Sequence, residues 1–374
     1  MATIGVITFH ESANYGAVLQ AYALQKCLAD MGHNAEIIDY CSPRMGIGSL
    51  SGIRRVRHFV WHKIAKPVLV GSVREQRTQG FRSKYFRLSP VRYVDPKALH
   101  LDPPQYDAYI TGSDQVWNPT IHGGDSSYFL TFAPEGKTRI SYAASFGISL
   151  IPQSYASDYS QWLEQIHYLS TRELEGAEVV KRLAKRDAVI ALDPTLLFDR
   201  EHWREVAVSH ELDRPYVLCY YMPGDRAVCR RIAELARQVS MATGWRVISI
   251  GEKEYTRLSP WKYSVFNAGP AEFLGLCQGA SFIITNSFHG TAFSINYRKP
   301  FLVPINQGRC PERTLNSRIT SLLRILRLEE RLVPVGRNIS ADNVLNMDFA
   351  VAESILEQER RKSLDFLRGS LGGA

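Results

Sequence analysis

Short, nearly continuous apolar runs alternate with stretches of helical periodicity along most of this chain. Thr3–Phe9 predicts a strand buried on both faces. His10–Gly16 is a polar loop ending in glycine. Ala17–Met31 predicts a helix, with Leu24 and Leu28 among its apolar positions and Gly32 as its stop. Ala35–Tyr40 predicts the next strand. Strand, loop, helix and strand in this order make a βαβ unit, and therefore a parallel sheet. The pattern resumes with predicted strands at Asp107–Thr111, Arg139–Ala144, Tyr168–Thr171 and Ala188–Leu192, and helices at Ser157–Ile166 and Leu174–Ala184. The strands end in small or polar residues such as Gly112-Ser113-Asp114, Ser145-Phe146-Gly147 and Asp193-Pro194-Thr195, where open α/β sheets place their ligands.

A polar stretch near Phe198–Arg214, followed by Pro215, marks a boundary. Beyond it a second series predicts strands at Tyr216–Tyr221, Arg246–Ile250, Phe282–Thr285 and Phe301–Pro304. Its helices are predicted at Ala227–Ala242, Pro270–Cys277 and Thr291–Tyr297. Asp348–Leu367 predicts a long amphipathic C-terminal helix. The expected organisation is an N-terminal domain over 1–205, a second domain over 206–340 and a C-terminal helix within 341–374 that packs back across the hinge.

With 374 residues, 45% apolar and 22% charged, the chain has globular composition and length for two domains. No apolar run is long enough to span a membrane. The start reads as a strand without a basic leader, so no signal peptide is expected. Cys27, Cys41, Cys219, Cys229, Cys277 and Cys310 form no C-x-x-C pair, and the histidines show no zinc spacing. The expectation is a reduced, cytoplasmic protein without a metal.

Charge changes this picture at one place. The net charge is +8, yet residues 42–92 alone carry +11, from twelve Lys/Arg against the single Glu75. Ile53, Val56, Val60, Ile64 and Val68 recur at helical spacing there, interleaved with Arg54, Arg55 and Arg57. This predicts a basic amphipathic helix, docked on the protein's own core or on an anionic membrane surface. No nucleic-acid-binding motif accompanies it, so nucleic acid is not an expected partner.

Four stretches could carry chemistry. Asn286-Ser287-Phe288-His289-Gly290-Thr291 joins a predicted strand to a helix N-terminus. Such a terminus favours an anion, and His289 is a candidate general acid. Gly290 would let a ligand approach the backbone. The plain alternative is a helix cap beside a packed histidine. Ser170-Thr171-Arg172-Glu173 offers an arginine at a strand end, either an anion grip or an ordinary ion pair. Ser113, Asp114, Trp117 and Asn118 combine carboxylate, indole and amide as sugar sites do, with Asp114 a candidate base. They equally suit a capped turn with Trp117 in the core. The first loop lacks G-x-G-x-x-G, which disfavours a dinucleotide; Asn14, Tyr15, Gly16 and Gln20 suit hydroxyl recognition better.

Taken in order, these stretches resemble the polysaccharide pyruvyl transferase family. The resemblance rests on Gly5–His10, Asn14–Leu24, Gly112–Asn118, Ser170–Glu173, Asp193–Thr195 and Ser287–Gly290, and runs from about Ile4 to Pro304. It implies a GT-B-like α/β fold of two Rossmann-like domains facing a cleft. It implies phosphoenolpyruvate as donor co-substrate, with no other cofactor, and a hexose of a polysaccharide or lipid-linked precursor as acceptor. The product is a pyruvate ketal. Arg172 and His289 match the family's donor-binding residues, with His289 as acid. Asn286, Ser287, Gly290 and Thr291 complete the donor side. Many members carry arginine where this chain has Ser287, and Arg309 is the candidate substitute. Asn14, Tyr15, Gly16, Gln20, Ser113, Asp114, Trp117 and Asn118 form the expected acceptor side, with the basic insert at 42–92 beside them at the inner membrane face. The competing readings are a GT-B glycosyltransferase using a nucleotide sugar and a non-catalytic glycan-binding relative.

Overall fold

The computed structural model describes residues 1–12, 14–43, 73–210, 212, 214–222, 224–251, 267–306, 317–337 and 342–372. The predicted basic helix and Arg309 lie outside the described residues. The chain forms two compact units: Met1–Leu197 with Glu312–Ser317 and Glu359–Ala374, and Phe198–Pro311 with Arg318–Gln358.

The first unit is built on a parallel sheet of β1 (Thr3–Ile7), β2 (Asn34–Tyr40), β3 (Leu88–Tyr93), β4 (Ala108–Thr111) and β5 (Thr138–Ser141), in the order β3-β2-β1-β4-β5. Isolated bridges from Ile140 to Tyr168 and from Ala144 to Thr171 carry the pairing on to β6 (Ser170–Thr171) and β7 (Val189–Ile190). β1 is buried almost throughout, which is why it reads as an unbroken apolar run. The helix Tyr15–Asp30 follows it. The Asn14 side chain starts that helix by accepting from the Gly16 N–H at 2.9 Å, two residues ahead of the predicted start. The strand order reverses between β1 and β4. The loops after these two strands therefore share the crevice where doubly wound sheets bind ligands.

Among the elements here that are absent from the sequence expectation are the helix Val73–Tyr85 and the edge strand β3. Only Thr78 and Phe81 are buried in the helix, and only Ser89 and Tyr93 in the strand, which also contains Pro90. Neither segment has an apolar period to read, and an edge strand tolerates proline.

The second unit repeats the layering with β8 (Tyr216–Tyr221), β9 (Arg246–Gly251), β10 (Phe282–Thr285), β11 (Phe301–Ile305) and β12 (Leu332–Pro334), all parallel in the order β12-β11-β10-β8-β9. The helix Arg226–Thr243 lays Cys229, Ile232, Leu235, Ala236 and Val239 against the sheet. Asp225 caps its start, and Gly244 at φ +71° ends it in the left-handed conformation that glycine adopts without strain. The reversal point of this sheet lies between β8 and β10.

The C-terminal helix is one element, Ala350–Leu371. Ala352 and Leu356 are buried in the second unit. From Glu359 onward the helix packs back onto the first unit, burying Ser363, Leu367, Ser370 and Leu371. Among the described residues no helix is long and apolar enough to cross a membrane.

Candidate functional site

Arg172 organises the first unit's carboxyl-end crevice. It follows β6, and its side chain is 1% exposed. One guanidinium nitrogen meets Asp193 Oδ2 at 2.6 Å, and another lies 3.4 Å from Asp114 Oδ1. Nε stands 4.0 Å from a Glu173 oxygen. Burial works against the arginine's charge. The fields of Asp193, Asp114 and Glu173 outweigh it and hold the guanidinium more firmly protonated than an ordinary arginine. Of the two readings of Arg172, an anion grip or an ion pair, the structure has the ion pair, with the arginine enclosed by three carboxylates. An anionic donor would be repelled by that surplus of negative charge.

Asp193 and Glu173 are anchored by further hydrogen bonds. Asp193 Oδ1 accepts from the N–H and hydroxyl of Thr195, and its Oδ2 also accepts from the Ser113 hydroxyl at 3.0 Å. Glu173 Oε1 accepts from Ser145 Oγ and from the N–H groups of Phe146 and Gly147. Asp114 sits at φ +66°, in the left-handed region that aspartate tolerates, with its side chain 11% exposed. It is the carboxylate of the three that keeps some access to solvent. Thus four stretches read separately in the sequence converge on one guanidinium. Asp193 and Glu173 were visible within those stretches without a role; their signal was a carboxylate at each strand end.

The remaining acceptor-side residues serve the fold. Gln20 is fully buried. Its amide donates to Thr8 Oγ1 and the Ala17 carbonyl and accepts from the Ser113 N–H at 3.0 Å. Trp117 is fully buried, stacks on Phe129 at 5.3 Å and 6°, and donates to the Tyr128 carbonyl. An indole so enclosed offers no face to a sugar. Asn118 caps the turn at Pro119 by accepting from Thr120. Asn14 and Gly16 form the first helix's cap, and Tyr15 is buried with the Arg74 guanidinium 4.5 Å above its ring.

Beyond the ends of β1 and β2 lies a polar cluster to which the sequence reading gave no role. His10 Nε2 meets Asp39 Oδ1 at 3.0 Å, and that hydrogen bond holds the Asp39 carboxyl below the usual carboxylate range. Glu11 is paired bidentately with Arg92, at 2.6 and 2.9 Å, and with Arg82 at 3.3 Å. Burial raises the Glu11 carboxyl, and hydrogen bonds from Cys41 and Arg92 more than reverse this. The ligand atoms of His10, Glu11 and Asp39 lie within 4.8 Å of one another, the spacing of a cation site. The two arginines already answer that charge.

In the second unit, the Asn286–Thr291 step lies at the sheet's reversal point. The Asn286 amide is bonded both ways to the Met222 backbone, at 2.8 and 3.0 Å, which ties β10 to β8. Ser287 caps the helix Phe288–Asn296 by accepting from the Gly290 N–H at 3.3 Å. The Thr291 hydroxyl donates to the Ser287 carbonyl. Gly290 is required by packing rather than by a ligand: a Cβ there would stand 2.5 Å from Thr285 Oγ1. His289 is buried in the first helical turn, edge-on to Phe288 at 5.2 Å. The positive end of that helix lies after β10 at the sheet's reversal point, where an α/β sheet takes an anion.

Two doubly wound units with polar loops at their carboxyl ends define a GT-B-like fold. The family model described as polysaccharide pyruvyl transferase matches residues 14–306, and the chain belongs to that family. Solved structures similar in fold include UDP-GlcNAc 2-epimerase from Methanocaldococcus jannaschii (12% identity, 96% of this chain and 99% of that chain, TM-score 0.50). Others are Arabidopsis thaliana UGT89C1 (12%, 98% and 98%, 0.52) and the UDP co-structure of S. aureus MnaA (9%, 100% and 97%, 0.51). At these identities the likeness is one of fold. No curated protein matches the chain.

Proposed function

We propose that this transferase moves the pyruvyl unit of phosphoenolpyruvate onto a hexose of a polysaccharide or its lipid-linked precursor, closing a pyruvate ketal across two hydroxyls. The observation that carries the reading is His289, held in the first turn of a helix at the reversal point of the second sheet, within a chain of the pyruvyl transferase family. His289 serves as the acid that gives a proton to the methylene carbon of the donor, whose central carbon then gains oxocarbenium character. The helix dipole beneath it favours the donor's phosphate and carboxylate. Asp114, the partly open carboxylate of the first unit, takes the proton from the attacking sugar hydroxyl. Phosphate departs with the proton that Asp114 took up, and a second hydroxyl closes the ketal and gives its proton back to His289.

Arg172 takes a different part from the one its motif suggests. Enclosed by Asp193, Glu173 and Asp114, it acts as a positioning residue that fixes Asp114. The basic stretch at 42–92 supports an acceptor presented at an anionic membrane face on the cytoplasmic side. Unchanged binding to anionic vesicles after charge reversal at Arg54, Arg55 and Arg57 would overturn that docking.

The test of the reaction is phosphate release from phosphoenolpyruvate in the presence of candidate glycan acceptors, with the ketal methyl group followed by NMR. His289→Ala is expected to lower turnover by about 100-fold or more, the scale of a lost general acid, while melting as the wild type does. Undiminished turnover in that variant removes His289 from the chemistry.

A further inference from the structure

The segment Leu192–Leu196 carries Asp193, and Asp193 holds both Arg172 and Ser113. Its only regular structure is a 3-10 turn, Pro194–Leu196, too short to fix its own position. Hydrogen bonds from the far end of the chain reach both of its ends. The Leu192 N–H donates to Ser363 Oγ at 2.9 Å, across 171 residues. Arg360 Nε donates to the Leu196 carbonyl at 2.6 Å, across 164 residues. Ser363 is 1% exposed, and Arg360 sits one turn before it on the same helical face. On the opposite side, the Leu192 carbonyl accepts from the buried Tyr142 hydroxyl at 3.0 Å, and Phe366 packs against the Tyr142 ring. A continuous series of bonded groups thus runs from the C-terminal helix through Asp193 and Arg172 to Asp114.

We propose that Ser363 and Arg360 are positioning residues of the transfer site. The last turns of the C-terminal helix set the Asp193 segment, and through Arg172 they set the Asp114 carboxylate. Both residues lie beyond residue 306, where the family match ends. Neither belongs to any stretch that the sequence marks as functional. The inference rests on the proposed role of Asp114, and it concerns that carboxylate's placement rather than its chemistry. Displacing a reacting group by about 1 Å costs up to about 100-fold in rate, so two lost hydrogen bonds at this distance can act on turnover without touching substrate.

The test uses the full chain as wild type, Ser363→Ala, Ser363→Thr and the double variant Ser363→Ala/Arg360→Met. Hydrogen exchange is followed in peptides covering 189–197 and 111–118, beside kcat and KM for phosphoenolpyruvate. The double variant is expected to exchange about tenfold faster in both peptides. Its kcat should fall about tenfold, with KM for the donor within about twofold. Ser363→Thr, which keeps the hydroxyl, should restore wild-type values. Faster exchange confined to 189–197 with kcat unchanged would overturn the proposal, because the contacts would then be local. If the wild type itself fails to consume phosphoenolpyruvate, the proposed reaction falls, and exchange in 111–118 still decides for or against the linkage. If the double variant does not fold, Ser363→Ala alone is read by the same criteria.

Discussion

Replacing Arg172 by methionine keeps most of the side-chain volume and removes the charge. The guanidinium is 1% exposed, and its nearest partner, Asp193, is 0% exposed at the side chain. Asp193 would be left buried with an uncompensated charge, apart from its hydrogen bonds to Ser113 and Thr195. Breaking a buried ion pair from one side costs about 3–5 kcal/mol. For a unit of this size that lowers the melting temperature by about 6–20 °C. The pH dependence follows. Without the arginine, burial with no countercharge disfavours the charged form of Asp193. The deficit is then small where the carboxyl is protonated and grows as pH rises and the folded state must bury the charge. Thermal unfolding of Arg172→Met at pH 5 and pH 8 should therefore show the larger loss at pH 8. Arg172→Met/Asp193→Asn should recover most of it, since the two residues are directly coupled. A variant melting within about 2 °C of wild type at both pH values, and failing only to bind phosphoenolpyruvate, would refute the clamp and return Arg172 to the donor.

Other outcomes follow from the same geometry. Trp117→Ala should cost about 3–5 kcal/mol in urea unfolding, as for a buried aromatic, and a normal stability with a raised acceptor KM would place the indole against the sugar instead. Gly290→Ala should destabilise by about 1–3 kcal/mol through the clash with the Thr285 hydroxyl and be partly rescued by Thr285→Ala, which removes it; an unperturbed melting curve would show that the helix N-terminus has room to spare. Asp39 and Glu11 have folded-state pKa values below their ordinary ones, so their contribution to stability is present above about pH 4 and lost as pH falls through the folded values. Asp39→Asn should therefore narrow the stability gap between pH 6 and pH 3, and an unchanged gap would mean that the cluster is inert.

Much of the architecture was legible in the sequence because parallel strands buried on both faces leave uninterrupted apolar runs, as in β1, β8 and β10. The helix Arg226–Thr243 was legible for a second reason, its apolar stripe and Gly244 stop. The helix Val73–Tyr85 and β3 escaped because each buries only two residues. The site was legible as a set of unusual stretches and much less as a set of roles. Gln20, Trp117 and Asn118 have the chemistry of sugar recognition, but amides cap turns and indoles fill cores with the same atoms, and only burial tells the uses apart. The surroundings of Arg172 were hidden for another reason. Its partners Asp193 and Asp114 lie 21 and 58 residues away, and no local spacing encodes such a pairing.

The proposed donor, phosphoenolpyruvate, is tested most directly by thermal stabilisation of the purified protein by phosphoenolpyruvate beside UDP, GDP and CMP, repeated with His289→Ala. A ligand at a hundredfold excess over its dissociation constant adds about 2.7 kcal/mol. The expected result is a shift of several degrees with phosphoenolpyruvate alone, absent in His289→Ala. A shift with a nucleotide and none with phosphoenolpyruvate would contradict it and make the protein a nucleotide-sugar transferase.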